Sequence, residues 1–344
     1  MKTEFGLVTF ADIGQGDNLA QLTHERILNL LEEFRFADAH GLDVFGLGEH
    51  HRPDYSVSSP VTVLAAAAAL TKNIKLSSAV TVLSSEDPVR VFQQYATVDQ
   101  ISGGRAEIMV GRGSFIESFP LFGYNLQDYN ELFDEKLEML LKLNESEHIT
   151  WKGKFTQDLD NAGIYPRPYQ QKIPVWQAIG GTPQSAVRAG TLGLPLILAI
   201  IGGYPAQFQR LLELYRQTWS ANNHQAELQL GINGHMYIAE NAEQAAEEYF
   251  PHYATVMGRI GKERGWSPLS KTNFRAMLSP EASLLVGDPR QVAEKIIQWH
   301  KLFGYTRFMG HISMGTLPHD LVMNSMKLYV EEVIPRVKEG IAKG

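Results

Sequence analysis

The chain has 344 residues, 44% hydrophobic and 20% charged, with 31 basic and 38 acidic side chains giving a net charge of −7. That apolar share supports a sizeable core and excludes a disordered chain, while mild acidity without a Lys/Arg run excludes a binder of nucleic-acid backbones. The lack of any cysteine removes disulfides, zinc-thiolate sites, iron–sulfur clusters and a thiol nucleophile together. The longest apolar stretches, Val61 to Leu70 and Leu194 to Ile201, fall far short of the roughly 20 residues of a membrane span. Met1-Lys2-Thr3-Glu4 runs into a strand pattern rather than a secretory leader, so the cytoplasm is the expected compartment.

In chain order, Phe5 to Phe10 is a short apolar run, followed by Ile27, Leu30, Leu31 and Phe34 at helical spacing up to Gly41. Val44 to Leu47 forms a second strand, and the alanine-rich Val61 to Leu70 its helix. Lys75 to Leu83 alternates as a third strand before a helix opened by Pro88. Glu107 to Val110 follows, with its helix around Leu132 to Leu143.

After an excursion at Asn144 to Lys172, Val175 to Ala178 and Leu194 to Ile200 are the fifth and sixth strands, with helices from Pro183 and from Pro205 to Trp219. Leu228 to Tyr237 is the seventh, with its helix at Ala242 to Ile260 and an extra helix at Val292 to Phe303. Arg307 to His311 is the eighth, before a helix at Leu321 to Val333. Eight βα units in alternation predict an α/β fold of (β/α)8 type, a TIM barrel with insertions after helix 4 and between strands 7 and 8. No shift of composition marks a linker, so residues 1–344 are expected as one domain. A doubly wound sheet is the lesser reading, because no glycine cluster has the nucleotide-binding spacing.

Barrel chemistry sits at the C-terminal strand ends. After strand two stand Glu49, His50 and His51. Consecutive side chains diverge on a strand, so the three cannot easily chelate one ion, and no metal is expected. One inward histidine oriented by a carboxylate suits acid–base work, and bracing of the rim is the alternative. After strand four, Gly111-Arg112-Gly113-Ser114 pairs close backbone approach with a guanidinium fork. After strand five, Gly180-Gly181-Thr182-Pro183-Gln184-Ser185 opens a helix whose free N–H groups suit an anion. Together the two loops suggest a phosphate site; the bland reading makes the glycines turn residues, pairs Arg112 with a carboxylate such as Glu117 and leaves Thr182 a helix cap. His235, His311 and His319 could line a pocket or be structural. Asp87, Asp99 and Arg105 are expected to cap or pair. Trp151 to Phe155 and Tyr165 to Pro168 could form a lid or pack on the surface.

The strand-two and strand-four signals, with Pro88-Val89-Arg90, Asp99 to Arg105, Val286-Gly287-Asp288-Pro289 and Val333-Ile334-Pro335, give the chain a resemblance to the bacterial luciferase-like family of flavin-dependent monooxygenases. The resemblance runs essentially end to end. It implies a barrel binding FMN at its C-terminal rim, a homodimer, and reduced FMN supplied by a separate NAD(P)H-dependent flavin reductase. O2 would then give a flavin C4a-(hydro)peroxide that oxygenates a small organic substrate. It also implies that Arg112, Ser114, Gly180, Gly181, Thr182 and, more weakly, Ser185 hold the flavin phosphate. A cis peptide at Ala79-Val80 would touch the flavin, and His50 would be the catalytic histidine. Two positions depart from the pattern: Gly111 replaces a reactive cysteine, and Ile200 an aromatic residue near the flavin ring. These departures count against light emission and a long-chain aldehyde substrate. Hydride transfer with a deazaflavin (F420) and non-catalytic flavin binding are the alternative functions.

Overall fold

The apolar runs that recur along the chain become strands buried on both faces, as a parallel sheet covered by helices requires. The computed structural model describes residues 2–14, 17–113 and 115–343. The first half holds β1 (Glu4–Thr9), α1 (Leu19–Ala39), β2 (Val44–Leu47), α2 (Pro60–Leu70), β3 (Lys75–Ser78), β4 (Thr81–Val82), α3 (Pro88–Ser102), β5 (Ala106–Gly111), α4 (Ser118–Leu121) and α5 (Tyr129–Glu145). Next come β6 (His148–Trp151), β7 (Leu159–Gly163), β8 (Val175–Ile179), α6 (Pro183–Leu192), β9 (Leu196–Ile200), α7 (Gln209–Ala221) and β10 (Leu230–Ile238). The chain ends with α8 (Ala242–Arg264), α9 (Lys271–Ala276), β11 (Leu285–Gly287), α10 (Pro289–Phe303), β12 (Arg307–His311), α11 (His319–Leu328) and α12 (Ile334–Lys343).

Strands β1, β2, β3, β5, β8, β9, β10 and β12 pair in parallel in that order, and β12 returns to β1. This closes the (β/α)8 barrel expected from the sequence. Both insertions are present. The antiparallel hairpin β6–β7 follows α5, and α8, α9, β11 and α10 lie between β10 and β12. Among the described residues no helix is long and apolar enough to cross a membrane.

Beyond shifts of a few residues at strand and helix ends, three elements differ from expectation in kind. The Lys75–Leu83 segment is not one strand: β3 stops at Ser78, a cis peptide joins Ala79 to Val80, and β4 resumes beside β5. β11 escapes pattern reading because three residues are too few for a period to register; it extends the sheet beside Met236–Ile238. The last helix continues past Val333 through a π turn at Tyr329–Val333 into α12. Pro335 has no N–H for the helical ladder, and the wide turn just before it is where the ladder rearranges.

Alternation along the strands separates two cores. Val8, Val44, Met109, Trp176, Ile197 and Met309 fill the barrel, while residues such as Leu7, Phe45 and Leu76 face the helices. The barrel floor is ionic. Arg307 on β12 reaches across to Glu107 on β5 through two hydrogen bonds of 2.6 and 3.0 Å, also bonds Glu4, and lies 4.1 Å over the Trp176 ring. Asp87 caps α3 through the Arg90 amide at 2.9 Å. Asp99 accepts from the Ala106 and Gln170 amides, and Arg105 donates to the carbonyls of Ala68, Thr71, Ile74 and Ser102. The stretches considered for a lid are surface packing. Glu135 of α5 accepts from the Lys154, Phe155 and Thr156 amides, and Gln93 and Gln100 of α3 donate to the Tyr165 and Arg167 carbonyls.

Candidate functional site at the C-terminal end of the barrel

The inward phase of the strands leads to a cavity of about 330 Å³ at the C-terminal mouth, within the size range of small-molecule sites. Val8, Ala79, Met109, Ala178, Ala199 and Asn233 form its floor and walls, and His50, Val80, Arg112, Gly180, Thr182 and Ser185 its upper rim. Of the nine residues to which the resemblance gives a role, seven thus line one opening, with Gly181 next to it. Ser114 lies outside the described residues.

One side of the cavity is built for an anion. β5 and β8 are neighbours in the barrel, which brings the loop after Gly111 against the start of α6. Arg112 donates to Asn130 Oδ1 at 2.6 Å, Thr182 Oγ1 at 3.4 Å and Ser185 Oγ at 3.2 Å, and stacks over Tyr129 with its centre 5.0 Å from the ring. It does not pair with Glu117, the bland alternative for it. Thr182 is the N-cap of α6 by position but forms no side-chain cap, and Pro183 follows. Pro183 has no N–H and the Ser185 N–H bonds the Thr182 carbonyl at 3.1 Å, so the first turn leaves the Gln184 N–H open beside a guanidinium and two hydroxyls, a combination that favours a phosphate oxygen. Gly180 has open space where a Cβ would stand, and Gly181 has φ of +129°, which favours glycine. Tyr129 and Asn130 escape sequence reading because they precede the apolar period of α5.

The opposite side carries the imidazoles. His50 is buried, with its Nδ1 3.4 Å from Glu117 Oε1 and its Nε2 without a partner. Phe10, Tyr55 and Phe115 enclose the ring at centroid distances of 4.9, 4.3 and 4.9 Å. The orienting carboxylate is thus Glu117, from a different loop. Burial opposes ionisation of Glu117 and is the largest single influence, but the His50 hydrogen bond together with those from the Glu117 and His51 backbone N–H groups outweighs it and holds the carboxyl below its usual range. Glu49 and His51 point together to the other side, as alternation requires: His51 Nε2 lies 2.9 Å from Glu49 Oε1, and Glu49 Oε2 accepts from the Val82 amide at 3.1 Å. The Glu49 hydrogen bond raises the His51 pKa against an opposing effect of burial. Glu49 so ties the strand-two loop to β4, just after the cis Ala79–Val80 peptide in the cavity wall.

The two departures from the family pattern also acquire places. A Cβ on Gly111 would come 2.7 Å from Val80 Cγ2, so Val80 occupies the space a cysteine side chain would need. The cavity-facing residue at the end of β9 is Ile201, whereas Ile200 faces the helical layer. The residue read as standing at the aromatic position therefore faces away from the cavity, and its chain neighbour lines it. His235 and His311 point into the barrel mouth, and His319 instead pairs with Glu32 and Glu33 at 3.1 and 3.5 Å near the start of α11.

Fold and site together define a barrel protein with a phosphate-competent cradle facing a carboxylate-oriented histidine across one cavity. The family model described as luciferase-like monooxygenase matches residues 3–306, and the chain belongs to that family. Among curated relatives, the uncharacterized protein y4vJ of Sinorhizobium fredii is 32% identical over 46% of this chain and 46% of its own length. The matched stretch thus spans about half of that relative. The alkanal monooxygenase alpha chain of Aliivibrio fischeri is 25% identical over 87% of this chain and 90% of its own. Among solved structures, the monooxygenase RslO1 from Streptomyces bottropensis has a TM-score of 0.84 at 25% identity, covering 96% of this chain and 99% of that one. The oxygenating constituent of 3,6-diketocamphane monooxygenase from Pseudomonas putida, solved with FMN, shares the fold at a TM-score of 0.77 and 20% identity over 98% and 99% of the two chains. So does an F420-dependent secondary alcohol dehydrogenase, at 0.74 and 18% over 98% and 99%.

Proposed function

We propose that this chain is an FMN-dependent monooxygenase acting on a small organic substrate with O2, supplied with reduced flavin by a separate NAD(P)H-dependent reductase in the cytoplasm. The observation that carries this reading is the cradle of Arg112, Thr182, Ser185 and the uncapped start of α6, opening directly onto the cavity. Its donors are all cationic or neutral, which fits a phosphate, and the apolar walls of Val8, Val80, Met109 and Ile197 fit a flat ring. FMN supplies the redox chemistry when bound. The chain's part is to fix the phosphate, exclude water from the ring and govern one proton. Glu117 accepts from His50 Nδ1–H, which leaves the His50 Nε2 lone pair free to take a proton inside the cavity.

Replacing Arg112 by alanine removes a charge-assisted donor, so FMN affinity is expected to fall by about 1.5–3 kcal/mol, with a smaller loss of fold stability. Fluorescence titration of the variant measures this, and unchanged affinity would take Arg112 out of the phosphate site.

The same reading includes a homodimer through α2 and α3. Leu70 and Ile101, on these adjacent helices, are each 49% exposed, and the alanine face of α2 allows close approach of another backbone. Sedimentation equilibrium at micromolar concentration is expected to give twice the chain mass; a monomer would contradict it.

A further inference from the structure

Twelve buried side-chain atoms among the described residues have no hydrogen-bond partner, and six of them collect on one side of the barrel mouth: Asp12 Oδ2, His50 Nε2, His235 Nδ1, Tyr249 OH, Tyr253 OH and His311 Nε2. Buried polar atoms are nearly always paired, so such a cluster points to an occupant. The cluster is continuous. Phe10, which lines the cavity, has its ring 4.9 Å from that of His50 and 4.7 Å from that of His311. His311 lies 4.8 Å from His235, His235 5.8 Å from Tyr253, and Tyr253 5.6 Å from Tyr249.

Strand register explains why the two imidazoles meet. His235 on β10 pairs directly with His311 on β12, two residues above the inward pair Asn233 and Met309. Both side chains therefore share the inward phase of the cavity-lining Asn233, nearer the rim. His50 lines the cavity, whereas His235 and His311, 7% and 3% exposed, adjoin it through Phe10 and Asn233, which line it.

We propose that His235 and His311 form a substrate subsite for a neutral ring compound held through a hydroxyl group, with phenols as the class. This rests on the monooxygenase reading for the word substrate, though binding itself does not require it. Burial pushes His235 down to about 4, and burial with the nearby His235 and His50 holds His311 well below its usual value, so both rings are neutral at pH 7. A neutral imidazole has one N–H and one lone pair. Across two such rings, a hydroxyl can accept from one and donate to the other. A carboxylate offers only acceptors and would meet Asp12 in the same cluster. The edges of Phe10 and Tyr253 provide the apolar and aromatic surface on which a ring rests.

The test uses the full chain labelled with 15N-histidine, titrated separately with phenol, toluene and benzoate. Phenol is expected to shift the ring-nitrogen resonances of His235 and His311, assigned by their loss in His235→Phe and His311→Phe, while toluene and benzoate leave them in place. Each variant is expected to bind phenol at least about ten-fold more weakly, with a thermal midpoint equal to or above that of the parent, because a polar atom lacking a partner has been removed. Resonances unmoved by phenol, or benzoate binding as tightly as phenol, would overturn the subsite. Should either variant fail to fold, His235→Gln and His311→Gln, which keep a polar side chain at each position, supply the assignments. FMN titration of the same samples separates the two readings: phenol binding without FMN binding would sink the flavin assignment and keep the subsite, and the converse would sink the subsite alone.

Discussion

His50→Ala is expected to slow oxygen-dependent turnover of the FMN-loaded protein by about 10²–10⁴-fold, the usual share of a positioned acid–base group, while leaving FMN affinity nearly unchanged. The separation follows from geometry. The phosphate cradle is built on the loops after β5 and β8, and His50 on the loop after β2, so the imidazole contributes nothing to the anion site. Its Nδ1 is held by Glu117 and its Nε2 is buried and free of protein partners, the arrangement of a group that exchanges a proton with something in the cavity. Glu117→Gln should cause a smaller loss, since the ring keeps its aromatic enclosure but loses the carboxylate that fixes its tautomer. Stopped-flow absorbance of reduced, FMN-loaded protein mixed with O2, across pH, reads the effect. A variant with normal oxygen kinetics but lower melting temperature and lower FMN affinity would show that His50 only braces the rim.

Arg307→Met is expected to lower the unfolding free energy by about 3–5 kcal/mol, the cost of leaving a buried charge without its partner. Arg307 is 1% exposed and spans the barrel floor to Glu107, itself 3% exposed. Lys75 stands 3.5 Å from Glu107 and offsets only part of the loss. Adding Glu107→Gln to the variant should recover much of the stability, because the penalty belongs to the orphaned carboxylate and not to the missing attraction. Urea denaturation of the two variants measures both effects. Equal stability of the single and double variants would place the cost elsewhere, in the lost stacking on Trp176.

The barrel was legible because parallel strands covered by helices produce apolar runs at regular intervals, and Val44–Leu47 and Arg307–His311 appear in the structure with the bounds read from sequence. β11 and the β6–β7 hairpin were not legible. The first has three residues, β6 alternates over only four, and β7 exposes most of its length, so none carries a hydrophobic period long enough to register. At the site, glycine and arginine after strand ends marked the two loops of the cradle by local pattern, whereas the choice of His50 over His51 came from the family resemblance. The carboxylate of the histidine did not follow from sequence. Glu49 is its chain neighbour, yet alternation sends Glu49 to His51 and Val82, and Glu117 arrives from 67 positions away on another loop. The inward pairing of His235 with His311 likewise depends on the register of β10 against β12, which no single segment encodes.

The central claim is that this barrel mouth binds FMN through its phosphate. Parallel titration of the purified chain with FMN, riboflavin and F420 tests it most directly, since riboflavin carries the same ring without the phosphate. FMN is expected to bind well and riboflavin far more weakly, with the difference lost in Arg112→Ala. Riboflavin binding as tightly as FMN, or F420 binding more tightly than either, would contradict the account.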